Sequence, residues 1–256
     1  MFKHPITSKS GSAPRWPLRS LISGMALLAS CMHQQARQDS SSPRKPAEGK
    51  AVVTAIKGQA EYSTTPLQLT AEWKPLFDGK TLAGWKATDF AGAGRVGVEK
   101  GQLMLHSGAM LTGVTFTNAL PKTDYEVAFE AMKIDGSDFF CGLTFPVGTN
   151  HCSLIVGGWG GAVVGISSID GADASENETT KFMTFEKNRW YRVRVRVTQP
   201  KIEAWIDDEK LVDQPIGDRK ISMRAGEIEL SVPFGLAAWQ TTSALRNIQI
   251  RRAEKK

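Results

Sequence analysis

The chain has 256 residues, 41% of them apolar, and a formal charge of +6 from 32 basic and 26 acidic side chains. That excess sits at the N-terminus: the charge falls to +2 without residues 1–30 and to zero without residues 1–50. The remainder is electrically balanced and offers no basic surface of the kind that nucleic acid requires, so nucleic-acid partners are excluded.

At the N-terminus, Lys3, Lys9, Arg15 and Arg19 precede an apolar run from Leu21 to Ala29, and no acidic residue occurs before Cys31. A basic stretch followed by an apolar stretch too short to span a bilayer is the pattern of a secretory signal peptide. Leu28-Ala29-Ser30-Cys31 places small residues directly before a cysteine. This lipobox pattern predicts removal of residues 1–30 and acylation of Cys31. Residues 31–71 follow as a Cys-anchored tether, polar and Pro/Ser-rich around Ser40-Ser41-Ser42-Pro43 and Pro46. Its last third holds two short apolar stretches, Ala51-Val52-Val53 and Leu67-Gln68-Leu69, which read equally as linker or as edge strands. The expectation is an exported lipoprotein of a bacterial cell envelope, attached to the membrane by its N-terminal lipid, with a domain over 72–256 outside the cytoplasm.

From residue 72 onward the pattern is that of strands. Tyr125–Ala131, Trp190–Val197, Ile202–Asp207 and Leu245–Arg251 alternate apolar with polar or small residues, the period of half-buried antiparallel strands. Turn signals separate them at Lys100-Gly101, Asp135-Gly136, Pro200, Asp207-Asp208, Gly217-Asp218 and Ala225-Gly226, and no helical period is sustained. One β-sandwich is predicted, large enough to bury a full core. Pairing Val197 with Ile202 across Thr198–Lys201 sets Arg196 opposite Glu203 and Arg194 opposite Trp205. That face reads as a salt-bridged exterior, and Asp207-Asp208-Glu209 as its hairpin corner.

With Cys31 assigned to lipid, Cys141 and Cys152 remain as a pair in an oxidising compartment. They flank the turn-like stretch Phe145-Pro146-Val147-Gly148-Thr149. A hairpin that pairs residue 144 with 149 also sets Cys141 opposite Cys152, so a cross-strand disulfide is expected. Two buried free thiols are the alternative.

The irregular part of the domain is 150–180. Asn150-His151-Cys152 opens a strand that runs into Gly157-Gly158-Trp159-Gly160-Gly161. Glycines on both sides strip the steric cover from Trp159, leaving a ring free to stack on a pyranose face or to pack through a bulge. Asp170, Asp173, Glu176, Asn177 and Glu178 then fall within nine residues of almost no apolar content. Such a loop is solvated, or supplies acceptors and an acid or base to a sugar, or holds a hard cation such as Ca²⁺ through several oxygens. No Cys/His metal cluster, phosphate-binding loop, nucleophile motif or dinucleotide fingerprint is present, so no cofactor is expected beyond the Ca²⁺ that the acidic loop leaves open.

The stretch Trp73–Trp85 joins an apolar pair, Leu76-Phe77, to Asp78-Gly79-Lys80 and then Gly84-Trp85. This opening, the Trp190-Tyr191 strand, the hairpin ending at Asp207 and the closing Leu245-Arg246-Asn247-Ile248 strand resemble the 3-keto-disaccharide hydrolase domain family, formerly a domain of unknown function. The resemblance implies an all-β fold, a concanavalin A-like jelly-roll β-sandwich of two antiparallel sheets, and a saccharide substrate or ligand. Family members carry a Gly-Tyr-Glu-Val-Gln-type strand where this chain has His151-Cys152-Ser153-Leu154-Ile155-Val156. The acid–base roles therefore move to His151, Asp173 and Glu176, with Trp159, Asn150, Asp170, Asn177 and Glu178 contacting sugar. A 3-keto group acidifies the neighbouring C2 proton, so one base and one acid suffice to expel the glycosidic oxygen before water adds. The expected function is an exported carbohydrate-active protein hydrolysing glycosidic bonds of 3-keto-disaccharides, the alternative being a non-catalytic glycan-binding lipoprotein module.

Overall fold

The computed structural model describes residues 67–254, and the lipobox at Cys31 and the signal-peptide segment lie outside the described residues. In chain order the strands are β1 (Lys74–Pro75), β2 (Trp85–Ala87), β3 (Val96–Glu99), β4 (Gln102–Leu105) and β5 (Leu111–Phe116). Then come β6 (Tyr125–Asp135), β7 (Cys141–Val147), β8 (Asn150–Gly158), β9 (Val163–Ser167) and β10 (Lys181–Phe182). β11 (Trp190–Val197), β12 (Lys201–Ile206), β13 (Glu209–Pro215), a 3-10 turn at Glu227–Ser231, β14 (Gly235–Trp239) and β15 (Thr242–Arg252) complete the fold. Two antiparallel sheets result. One runs β13-β12-β11-β6-β15-β4-β3, with β1 added against β15; the other runs β10-β9-β8-β7-β14-β5-β2. The chain is an all-β jelly-roll sandwich of the concanavalin A type.

The core lies between the sheets because each long strand turns alternate residues inward. Tyr125, Val127, Phe129 and Ala131 of β6 meet Leu143, Phe145, Leu154 and Ile166 of the other sheet, all buried. Tyr125 is wholly enclosed, and its hydroxyl donates to the Pro146 carbonyl at 2.6 Å, so its polar tip is satisfied. The opening motif is a hinge into this core. The Asp78 carboxylate accepts the Lys80 and Thr81 amides at 2.8 and 2.7 Å, bonds that hold its pKa down to about 2. Trp85 is thereby delivered to Phe116 and Phe234, and its indole N–H donates to the Leu76 carbonyl at 2.8 Å.

The β11–β12 hairpin has the register its alternation predicts: Val197 faces Ile202, Arg196 faces Glu203 and Arg194 faces Trp205. The Arg194 guanidinium lies 3.7 Å from the Trp205 ring centroid. On this outer face Arg196, with 7% of its side chain exposed, sits between Glu126 at 3.6 Å and Glu203 at 3.8 Å. Arg251 also bonds Glu126 at 2.7 Å, while Lys210 and Lys201 bond Glu203 at 2.8 and 3.0 Å. Burial raises the Glu203 carboxyl, but the two lysines outweigh it and hold the group below its usual range.

Two expectations are corrected. The β7–β8 turn is the two-residue Gly148-Thr149, with Val147 facing Asn150, so Cys141 faces Val156 and Cys152 faces Phe145. Gly148 takes φ 58°, a left-handed value that closes the hairpin two residues later than the longer loop expected from sequence. The cysteines thus stand four residues apart in register, roughly 13 Å, too far to bond. Both are free, buried thiols, and burial pushes their pKa values well up. The sandwich also begins earlier than residue 72. The Leu67 amide donates to Ala119, Leu69 is buried in the core, and the Arg252 amide donates to Thr70.

Candidate saccharide cleft

The outward-facing residues of the seven-stranded sheet form an ordered floor. One row across β9, β8, β7, β14 and β5 reads Ser167, Ser153, Thr144, Gly235, Thr115; the next reads Gly165, Ile155, Gly142, Ala237, Gly113. Small residues here let covering segments approach closely. A Cβ on Gly165 would stand 2.8 Å from the Ala174 carbonyl oxygen, and one on Gly142 would stand 3.1 Å from the Phe139 ring. Between the covering segments remains a cleft of about 430 Å³, lined among others by Asp138, Phe139, Trp159, Arg224, Glu227 and Trp239.

Trp159 is presented by the glycine run as its sequence suggests. β8 bulges between Val156 and Gly158, and the Gly161 and Ala162 amides both donate to the Gly158 carbonyl. Trp159 itself takes φ 49°, rare for a bulky residue, and the residue is 41% exposed at the cleft. The Gly160 amide donates to Asp138 at 3.2 Å, fixing the turn to the segment before β7. Arg224 lies 5.8 Å from the Trp159 ring centroid and bonds the Asp173 carboxylate at 2.5 Å. The other Asp173 oxygen accepts a short hydrogen bond from the Ser167 hydroxyl. Asp173 therefore works from behind the cleft wall, orienting an arginine and a serine that line it.

The remaining sequence candidates are elsewhere. Asn150 and His151 stand at the opposite end of β8, eight residues from Trp159 in the case of His151, or roughly 27 Å along a strand. His151 is half-buried there, and desolvation, with Lys122 adding repulsion, lowers its pKa. It does not line the cleft at Trp159. Asp170 and Glu178 both bond Arg219, at 2.5 Å each, and the Lys220 amide, with Arg219 second, holds the Asp170 carboxyl below its usual range. Asn177 is consumed by the loop: its amide donates to the carbonyls of Ile166, Ala172 and Asp173, and its oxygen accepts from Thr179. Glu176 is exposed and does not line the cleft. Among the described residues no three His, Cys, Asp or Glu side chains converge as a metal site.

The sandwich falls within a known family: the model of the 3-keto-alpha-glucoside-1,2-lyase-like domain matches residues 72–251. The chain belongs to that family. Among solved structures, a native glycosidic hydrolase is similar at TM-score 0.50 with 8% identity over 75% of this chain and 99% of that one. A Bacillus subtilis protein with a galectin-like fold aligns at TM-score 0.49, 11% identity, 74% of this chain and 99% of its own. The carbohydrate-binding module CBM66 of Bacillus subtilis aligns at TM-score 0.46, 13% identity, 66% of this chain and 95% of its own. At such an identity the likeness to the hydrolase speaks for the fold alone. No curated protein matches the sequence.

For this 3-keto-alpha-glucoside-1,2-lyase-like domain, sequence reasoning missed Asp138, Ser153, Arg224, Glu227 and Trp239 as cleft residues. Asp138-Phe139 and Trp239-Gln240 each sit at a strand end beside a turn, where an exposed aromatic or carboxylate is a usable signal. Arg224 carried no local signal, because its partner Asp173 is 51 residues away.

Proposed function

We propose that this protein is an exported, carbohydrate-active member of its family that holds a saccharide in the cleft beside Trp159. The observation that carries the reading is the exposed Trp159 ring, held in a left-handed turn beside an arginine fixed by a carboxylate. Such a ring meets the C–H face of a pyranose, and Arg224, Ser167 and Asp138 supply the donors and acceptors that sugar hydroxyls need. The basic and apolar N-terminus with Cys31 supports export and lipid attachment at the cell envelope.

Cleavage of 3-keto-disaccharides is the second reading, favoured by the family to which the chain belongs. His151 and Glu176 are then replaced as acid–base candidates by Asp138 and Glu227, the carboxylates that line the cleft. The test is a titration of the full chain, in detergent, with ordinary and 3-keto disaccharides, followed by intrinsic fluorescence and by product analysis. Saturable binding weakened on the order of tenfold or more by Trp159→Ala supports the saccharide site. Product release abolished by Asp138→Asn or Glu227→Gln establishes the second reading. Absence of any binding refutes both.

A further inference from the structure

The cleft is chemically divided across the strands. On the β9–β8 side stand the Ser167 and Ser153 hydroxyls, Arg224 and, at the Trp159 turn, Asp138, set around Ile155 and the Trp159 ring. On the β14–β5 side the lining is Trp239, Leu111, Met110 and Ile228, with Phe90 packed behind them. Trp239 faces Leu111 directly in the sheet register. Met110 is 44% exposed, so this apolar half opens to solvent and is not closed core. Glu227, the charged side chain that borders it, turns its carboxylate toward the Ala91 amide at 3.3 Å.

This division bears on what fills the cleft. A second sugar ring in the β14–β5 half would bring three or more hydroxyls against Leu111, Met110, Ile228 and Trp239, where the one side-chain donor is the Trp239 indole N–H. Each hydroxyl buried without a partner weakens binding by roughly 5- to 100-fold. An apolar ring of similar size gains affinity there by leaving water. Resting on the saccharide-site reading above, we infer that the ligand is a glycoside with one sugar unit over the Trp159 side and an apolar, aromatic-sized aglycone against Trp239 and Leu111. Trp239 and Met110 are then the residues that set aglycone specificity, and disaccharides are the poorer ligands.

The experiment compares methyl and phenyl glycosides of glucose, galactose and mannose in both anomers, their 3-keto derivatives, and disaccharides of the same sugars, by calorimetric titration of the full chain. The expected result is phenyl glycosides binding about tenfold or more tightly than their methyl counterparts and than the disaccharides. Trp239→Ala lowers phenyl-glycoside affinity far more than methyl-glycoside affinity and so removes most of that ratio. Met110→Gln, at an exposed position that does not threaten folding, lowers the ratio in the same direction. Methyl glycosides that bind with no phenyl advantage, or an advantage that survives both substitutions, overturn the aglycone inference and leave the saccharide site standing. Failure of every glycoside and disaccharide to bind overturns the saccharide site, and the inference with it.

Discussion

Gly165→Ala tests whether the small-residue floor positions the cleft. The added Cβ would stand 2.8 Å from the Ala174 carbonyl oxygen and 3.2 Å from the Thr179 hydroxyl. Relief to ordinary contact requires the 173–179 loop to move outward by about 0.5 Å, and the clash is with backbone, which yields poorly. That loop is fixed by Asn177 to Ile166, and the Thr179 hydroxyl accepts the Ile166 amide at 2.8 Å. Overpacking of this kind costs about 1–3 kcal/mol. For a domain of this size that is a fall in Tm of roughly 2–10 °C. Because Asp173 rides on the same loop, its bonds to Ser167 and Arg224 are lengthened and saccharide affinity falls with stability. Gly97→Ala is the matched control. Its nearest neighbour is the flexible end of Arg95 at 3.6 Å, and a less flexible unfolded chain makes that variant equal to or more stable than the parent by up to about 1 kcal/mol. Thermal melts of the three proteins, with a sugar titration of each, decide the matter. A Gly165→Ala variant with parental Tm and parental affinity would show that the floor places no constraint on the cleft.

Two further predictions concern charge. In the network on the outer face of the eight-stranded sheet, Arg196→Met leaves Glu126 with Arg251 and Glu203 with Lys201 and Lys210, so the change in unfolding free energy should stay within about 1 kcal/mol. Glu126→Gln instead deprives Arg196 and Arg251 of their shared carboxylate and should cost about 3 kcal/mol or more in urea denaturation; equal losses in the two variants would refute this asymmetry. His151 has a folded pKa below that of the unfolded chain, so the unfolded state takes up the proton first. Stability is lost as pH falls below about 6.5 and is regained above it. His151→Gln should flatten the Tm profile between pH 8 and pH 5 without altering saccharide affinity, and an unchanged slope would contradict the assignment.

How much of this was legible in the sequence follows from how far apart the partners lie. The alternation in Trp190–Val197 and Ile202–Ile206 is a local, period-two signal, and the short connection between these strands leaves one register that buries the apolar set, so Arg194 meets Trp205 as expected. The Asx turn at Asp78 and the glycine-flanked exposure of Trp159 are likewise local, written in residues within a few positions of one another. The cysteine pairing failed on a single backbone choice: the left-handed Gly148 tightens one turn, and a hairpin carries that choice along its whole length. The acidic loop shows the same limit in charge. Asp170, Asp173 and Glu178 look equivalent in sequence, and what separates them is which arginine arrives from about 40–50 residues downstream, Arg219 for two of them and Arg224 for the third. By itself the sequence determined the sandwich, the glycine-flanked exposed tryptophan and the family, because these rest on short-range pattern. The tertiary structure alone decided that Trp159, Asp138, Arg224 and Trp239 share one cleft and that His151 does not, because antiparallel pairing joins residues far apart in the chain and sets the two ends of one strand far apart in space.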